Sequence, residues 1–376
     1  MLLKGREKMT ELTIRNDEQV VFVLRSLYET YGYKLFKMTK FEEYDLYVKN
    51  KDFLICDNII TFNDTNGRLM ALKPDVTLSI IKNKSEKGSL KKVYYNENVY
   101  RVSKGTNSFK EIMQVGLECI GDVDSYCISE VLTLACESLC RISDRCVLSI
   151  SDLDIIFEIF EKENIDPELC GKLLELMGSK NVHELCSVCK ENKIGDETVS
   201  VLCEMINLFG CPDRVFAKLN KLLPNNEKVR RFESTVESVN EKYRSMIEID
   251  FSTVGDSKYY NGIAFKGFVD GVSGSVLSGG QYDKLMKKMK HGDKAIGFAI
   301  YLDMLEFLNE AHKEYDVDIA LLYQNGCDVK KLNEQISALT DSGNTVIALK
   351  SIPDDLKYRK LMIFKDGEAK NYEDNA

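Results

Sequence analysis

Long apolar runs are missing from this 376-residue chain. No stretch approaches the roughly 18 apolar residues of a membrane-spanning helix, which excludes an integral helical membrane protein. The opening MLLKGREKMTELTIRNDEQ has no apolar h-region, so no secretory signal is expected and the cytoplasm is the expected compartment. Proline is scarce at five residues, and there is no Gly/Ser- or Pro-rich linker and no fixed-period repeat. A solenoid or a string of loosely tethered modules is thereby excluded. Positive charge is also in short supply. Lys plus Arg number 51 against 60 Asp plus Glu, a net charge of −9, which disfavours a dedicated nucleic-acid binder because phosphate contacts need a basic surface. With three histidines in all, a His-based catalytic centre has little support.

What is present is an ordinary soluble composition, 44% hydrophobic and 30% charged, with length enough to bury a large core. Twelve cysteines in a chain of this size read as reduced thiols packed as small hydrophobes. His183, Cys186 and Cys189 outline a metal half-site, but zinc wants four ligands and no second pair follows, so core packing is expected and no metal. Lys284, Lys287, Lys288, Lys290 and Lys294 form a basic run, read as a solvated helix face in preference to a polyanion site.

Periodicity divides the chain. Val20, Val21, Val23, Leu24, Leu27 and Tyr28 predict a helix over about 17–31, with Gly32 as its C-cap. Asn66-Gly67 between two alternating runs predicts a hairpin over 60–72 whose two turn residues both take positive φ. Residues 91–101 and 111–121 read as strands and join 60–72 in an antiparallel sheet. From about 124 to 245 the pattern is helical: one helix belonging to the sheet domain, then an insertion near 165–245. Strands return at 246–255, 259–269 and 273–283, a last helix covers 296–308, and the tail from Tyr315 reads as strand, helix, strand, strand. The expected domains are 1–312 and a small α/β unit over 315–376.

LKPDVT (72–77), VYR with EIMQVGLECIG (99–121), YYNG (259–262), SGGQYDKL (278–285) and IGFAIYLDML (296–305) follow one another in this order. Together they resemble the catalytic fold of class II aminoacyl-tRNA synthetases, specifically the histidyl-tRNA synthetases. Within that superfamily the likeness is greatest to the regulatory subunits of ATP phosphoribosyltransferase. The implied fold is α+β: a mixed, mostly antiparallel sheet with flanking helices, a helical insertion and a small C-terminal α/β unit. A homodimer through the stretch around 32–44 is also implied, although the family's proline there is replaced by Thr39 or Lys40.

The resemblance assigns roles residue by residue. Asp75 and Thr77 take the positions that bind a substrate ammonium. Gln114 and Glu118, four apart on one strand, share a face. Tyr260, the second of the Tyr259-Tyr260 pair, falls on the residue that contacts an imidazole, and Arg101 on the one that holds an α-phosphate. This set suits a small zwitterion with a polar ring. Against it stands the reading that Asp75 and Glu118 are structural carboxylates in a sheet that binds nothing. On the nucleotide side, Ser103 replaces the adenine-binding Glu, Met304 the γ-phosphate Arg, and Gly255 the Arg that would face phosphate and substrate carboxylate. Losing one preorganised donor at developing charge costs about 10²–10³ in rate, so no catalytic residue, no cofactor and no adenylate formation are expected.

The resemblance therefore implies a non-catalytic chain that partners the short-form ATP phosphoribosyltransferase catalytic subunit and relays histidine feedback in the first step of histidine biosynthesis. No P-loop and no acidic pair before Gly-Thr is present to cradle a phosphoribosyl group, so the transfer chemistry lies on the other chain. Histidine sits either in the Asp75/Thr77/Gln114/Glu118/Tyr260 pocket or at the subunit interface. No tRNA is expected: from Glu314 to Ala376 there are 12 acidic and 8 basic residues, net −4. The alternatives are a diverged histidyl-tRNA synthetase and a stand-alone amino-acid sensor.

Overall fold

The computed structural model describes residues 16–50, 59–83, 89–102, 108–254, 259–289, 292–309 and 315–372. Two compact units emerge, one over Asp17–Phe307 and a second that includes Leu308–Ala376.

The first unit opens with α1 (Asn16–Thr30), which buries Val21, Leu24, Leu27 and Tyr28 along one face. Gly32 at φ 80° ends it, with Tyr33 N–H donating to Tyr28 O and Gly32 N–H to Glu29 O. Only glycine enters that left-handed geometry freely, so the residue sets the helix end. Then come β1 (Lys34–Leu35), β2 (Phe41–Glu43), α2 (Tyr44–Lys49), β3 (Thr61–Asn63), β4 (Leu69–Leu72), α3 (Thr77–Lys82), β5 (Lys91–Val102) and β6 (Phe109–Gly121). After α4 (Ser125–Ile142) and β7 (Cys146–Asp152) follow α5 (Leu153–Lys162), α6 (Pro167–Gly178), α7 (Val182–Glu191), α8 (Asp196–Ile206), β8 (Phe209–Gly210), α9 (Pro212–Leu222) and α10 (Glu227–Glu237). A 3-10 turn (Glu241–Met246) leads into β9 (Ile247–Asp250), β10 (Ile263–Val269), β11 (Ser275–Gln281), α11 (Asp283–Lys288), β12 (Lys294–Tyr301) and a second 3-10 segment (Leu302–Asn309).

Nine strands form one sheet in the order β1-β5-β6-β12-β11-β10-β7-β9-β8. The β1–β5 and β7–β9 pairs are parallel and the other pairs antiparallel. This is the mixed, mostly antiparallel sheet the sequence predicts.

Four local expectations are corrected. The 60–72 hairpin does not join the large sheet; β2, β4 and β3 make a three-stranded sheet of their own. Its turn is not a two-residue loop, since only Gly67 (φ 78°) has positive φ. The Asp64 carboxylate accepts from Asn66 N–H and Arg68 N–H, both at 2.8 Å, and so holds a longer loop. Residues 296–301 belong to strand β12, not to a helix, and β7 is a strand inside the stretch read as helical. Both strands are largely buried between two neighbours, so their apolar runs do not alternate, and periodicity cannot separate such a strand from a buried helix.

Helices α5 to α10 pack on Leu173, Met177, Leu185, Leu202, Met205, Leu219 and Phe232. Cys189 is buried among them and Cys186 meets Cys203 at 3.1 Å. Lys284, Lys287 and Lys288 are exposed on α11 while Leu285 and Met286 are buried; Lys290 lies outside the described residues.

The second unit comprises β13 (Val317–Leu322), α12 (Val329–Asp341), β14 (Val346–Leu349), β15 (Tyr358–Lys365) and β16 (Glu368–Asn371), in sheet order β14-β13-β15-β16. Ile319, Leu321, Leu332, Met362 and Phe364 form its core. No helix among the described residues is long and apolar enough to cross a membrane.

Candidate functional site

Strand register builds one face of the site. On β6, Gln114, Gly116 and Glu118 alternate onto the same side. Their β12 partners are Tyr301, Ala299 and Gly297, and the β5 partner of Gly116 is Tyr95. The glycines are required by side chains that lean over them. A Cβ on Gly297 would fall inside the Glu118 carboxylate, and one on Gly280 would stand 2.8 Å from the Tyr260 ring. The opposing wall is the turn from β4 into α3, where Asp75 Oδ1 accepts from Leu78 N–H at 2.9 Å. Lys73 anchors that turn from behind, fully buried and ion-paired to Glu97.

These elements enclose a narrow cavity of about 20 Å³, lined by Asp75, Thr77, Arg101, Gln114, Glu118, Tyr259 and Tyr260, the seven positions singled out in the sequence. That is room for about one water molecule. Tyr95, Ser278, Tyr282 and Tyr301 also line it and were missed. A glycine inside a strand, as at 116, signals close approach by a neighbour, and Tyr95 is that neighbour. Nothing local marks Tyr282.

Glu118 is the centre of the arrangement. It is 3% exposed; Thr77 Oγ1 donates to its Oε1 at 2.8 Å and the Tyr282 hydroxyl to its Oε2 at 2.6 Å. Burial pushes its pKa up to about 8 even against those two donors, and nearby Asp75 adds to the rise. Burial also raises Asp75, partly offset by the Leu78 N–H and by Arg101. Arg101 itself donates from Nε to Pro74 O at 3.1 Å. Among the described residues that line the cavity, Arg101 is the one cation. The phenols of Tyr95, Tyr259 and Tyr282 are held well above the usual range, by burial first and then by Glu118, joined at Tyr95 and Tyr259 by Asp75. Tyr259 packs edge-on against Tyr260 at 4.9 Å. Its buried hydroxyl stands beside Thr77 and makes no hydrogen bond of good geometry among the described residues.

The arrangement offers acceptors and neutral donors to a small polar guest, with a single fixed positive charge among the described residues. A triphosphate needs several converging cations. Of the three positions where synthetase residues are replaced, Ser103 and Gly255 lie outside the described residues. Met304 is half-buried, its methyl against Gly274, and does not line the cavity. Among the described residues no group of three or more His, Cys, Asp or Glu side chains is placed to hold a metal ion.

The family model for histidyl-tRNA synthetase matches residues 5–305. The ATP phosphoribosyltransferase regulatory subunit of Clostridium kluyveri is 30% identical over 343 residues, covering 86% of this chain and 87% of that protein. The chain belongs to the regulatory-subunit branch of the histidyl-tRNA synthetase family. Solved structures show the same fold. An ATP phosphoribosyltransferase regulatory subunit/histidyl-tRNA synthetase from Bacillus halodurans superposes with a TM-score of 0.74 at 20% identity, covering 92% of this chain and 93% of that one. A chain of the ATP phosphoribosyl transferase complex from Thermotoga maritima gives 0.60 at 22%, covering 77% and 98%. The large sheet of this chain is therefore the sheet of the synthetase fold.

Proposed function

We propose that this chain is the non-catalytic regulatory subunit of ATP phosphoribosyltransferase. It assembles with the short-form catalytic subunit, is required for that subunit's activity, and carries histidine feedback in the first step of histidine biosynthesis. It works in the cytoplasm, as a homodimer within the hetero-oligomer. The synthetase-like unit is the scaffold, and the C-terminal unit is a reduced anticodon-binding domain that no longer serves tRNA.

The observation that carries this reading is the asymmetry of the cavity. Asp75, Thr77, Gln114, Glu118 and Tyr260 converge, while among the described residues Arg101 is the one cation lining the cavity with them. Such a site suits a free amino acid and not ATP. Histidine is the guest, its ammonium at Asp75 and Thr77 and its ring at Glu118 and Tyr260. A cavity of about 20 Å³ does not admit it without movement, so binding separates side chains that now touch, and the occupied and empty states differ in shape. Histidine then shifts the assembly by whatever difference in affinity it has for the two states, commonly about 1–3 kcal/mol.

The test is reconstitution. Mixing the chain with a short-form catalytic subunit restores phosphoribosyl transfer, and histidine suppresses it; Thr77→Val keeps the assembly and loses the suppression. Suppression that survives Thr77→Val and Glu118→Gln places histidine at the subunit interface. Histidine-dependent pyrophosphate exchange with ATP by the lone chain would make it a synthetase. Failure to rescue any phosphoribosyltransferase, with histidine binding intact, would make it a stand-alone sensor.

A further inference from the structure

Three sulfurs meet away from the cavity. Cys140 lies in the last turn of α4, Cys146 opens β7, and Met246 closes the 3-10 turn before β9. Cys140 Sγ is 4.0 Å from Cys146 Sγ and 3.6 Å from Met246 Sδ. Two of the three are fixed by the sheet: β7 and β9 run parallel with Leu148 opposite Ile247, which sets Cys146 and Met246 at adjoining strand starts. Cys140 is exposed and Cys146 partly so, which leaves the group open to solvent on one side.

We infer that Cys140, Cys146 and Met246 form a binding site for one thiophilic monovalent metal ion of the Cu(I) class. The spacing carries the inference. With metal–sulfur bonds of about 2.3 Å, sulfurs on one ion stand roughly 3.8 Å apart if tetrahedral and 4.0 Å if trigonal. The two separations from Cys140, 4.0 and 3.6 Å, lie close to that range. Donor type selects the metal. Two thiolates and a thioether, where no group of three or more His, Cys, Asp or Glu among the described residues is placed to hold a metal, fall short of the four ligands zinc prefers and match the soft ligands that favour Cu(I). Binding replaces the S–H bonds of Cys140 and Cys146 with metal–sulfur bonds and releases two protons to solvent. The Met246 thioether adds a lone pair, and no electrons are transferred.

The experiment titrates the full, reduced chain with Cu(I) under anaerobic conditions against a chromophoric Cu(I) chelator. One equivalent is retained, and X-ray absorption shows a sulfur-only shell at about 2.3 Å. Cys140→Ser and Cys146→Ser each weaken retention by about 100-fold, the upper end of what loss of even an outer-sphere partner costs a metal site. Met246→Leu, which leaves both thiols in place, weakens it by about tenfold. Cys186→Ser, at a separate close thiol pair, leaves it unchanged. Circular dichroism of each variant separates loss of the site from loss of the fold. Retention that is undiminished in well-folded Cys140→Ser, or abolished by Cys186→Ser, or no retained ion in the parent chain, overturns the inference.

Discussion

Two buried carboxylates in this molecule have opposite surroundings. Asp152, at the end of β7, is 1% exposed, accepts from Asp154 N–H at the start of α5, and lies 3.4 Å from the Arg231 guanidinium on α10, which also grips Asp154 at 2.9 Å. Glu118 is also buried, and its hydrogen-bond partners among the described residues are hydroxyls. Burial raises both, Asp152 to about 6 with Arg231 pulling it down, and Glu118 to about 8 without a cation to do so. A carboxylate that ties helix to sheet is paired with a charge. The one that faces the cavity has hydroxyl partners and no cation partner among the described residues.

The sharpest way to break that contrast is to fill the space Glu118 occupies. Gly297→Ala places a methyl in the carboxylate and against Leu117 O, with a loss of about 3 kcal/mol and of histidine binding; denaturant unfolding and calorimetry read both. Glu118→Gln removes the buried acid while keeping its shape. Because the folded pKa is raised, this group's stabilising contribution is complete below the unfolded value near 4.5 and is lost as pH rises through about 8. The variant should therefore be more stable than the parent at pH 8, by on the order of 2 kcal/mol, with the slope between pH 5 and 8 flattened. A parent-like slope in Glu118→Gln would show that the carboxylate is not what titrates.

Arg231→Ala tests the other side. It leaves Asp152 buried without its cation and should cost about 1–2 kcal/mol, less than a fully buried pair because the guanidinium is more than half exposed. Asp152→Asn should flatten the pH dependence only between about pH 4 and 6, the window set by its own smaller rise. The smallest effect belongs to Thr77→Val, a few tenths to about 1 kcal/mol from one lost hydrogen bond, seen more in histidine affinity than in stability.

Much of this was legible in residues alone. The seven cavity positions follow from the order of short strings along the chain, and α1 with its glycine stop follows from spacing. In β9 buried and less buried positions alternate, and β5 and β6 were found by their aromatic and β-branched content. β7 and β12 were not, because burial on both sides removes the alternation that distinguishes strand from helix. Tyr95 and Tyr282 join the site through strand pairing and a turn, which local composition does not encode. The cysteines, read singly as small hydrophobes, are brought together in pairs from different elements, as at Cys186–Cys203 and Cys140–Cys146.

The sequence by itself determined the family's fold, the identity of the side chains that face the cavity and the cations the chain does not carry, since composition and order are written residue by residue. Only the tertiary structure decided that burial raises the Glu118 carboxyl, that the cavity has room for about one water, and that Cys140 meets Met246. Desolvation and distance are properties of neighbours brought together by folding, and neighbours far apart in the chain leave no local trace in it.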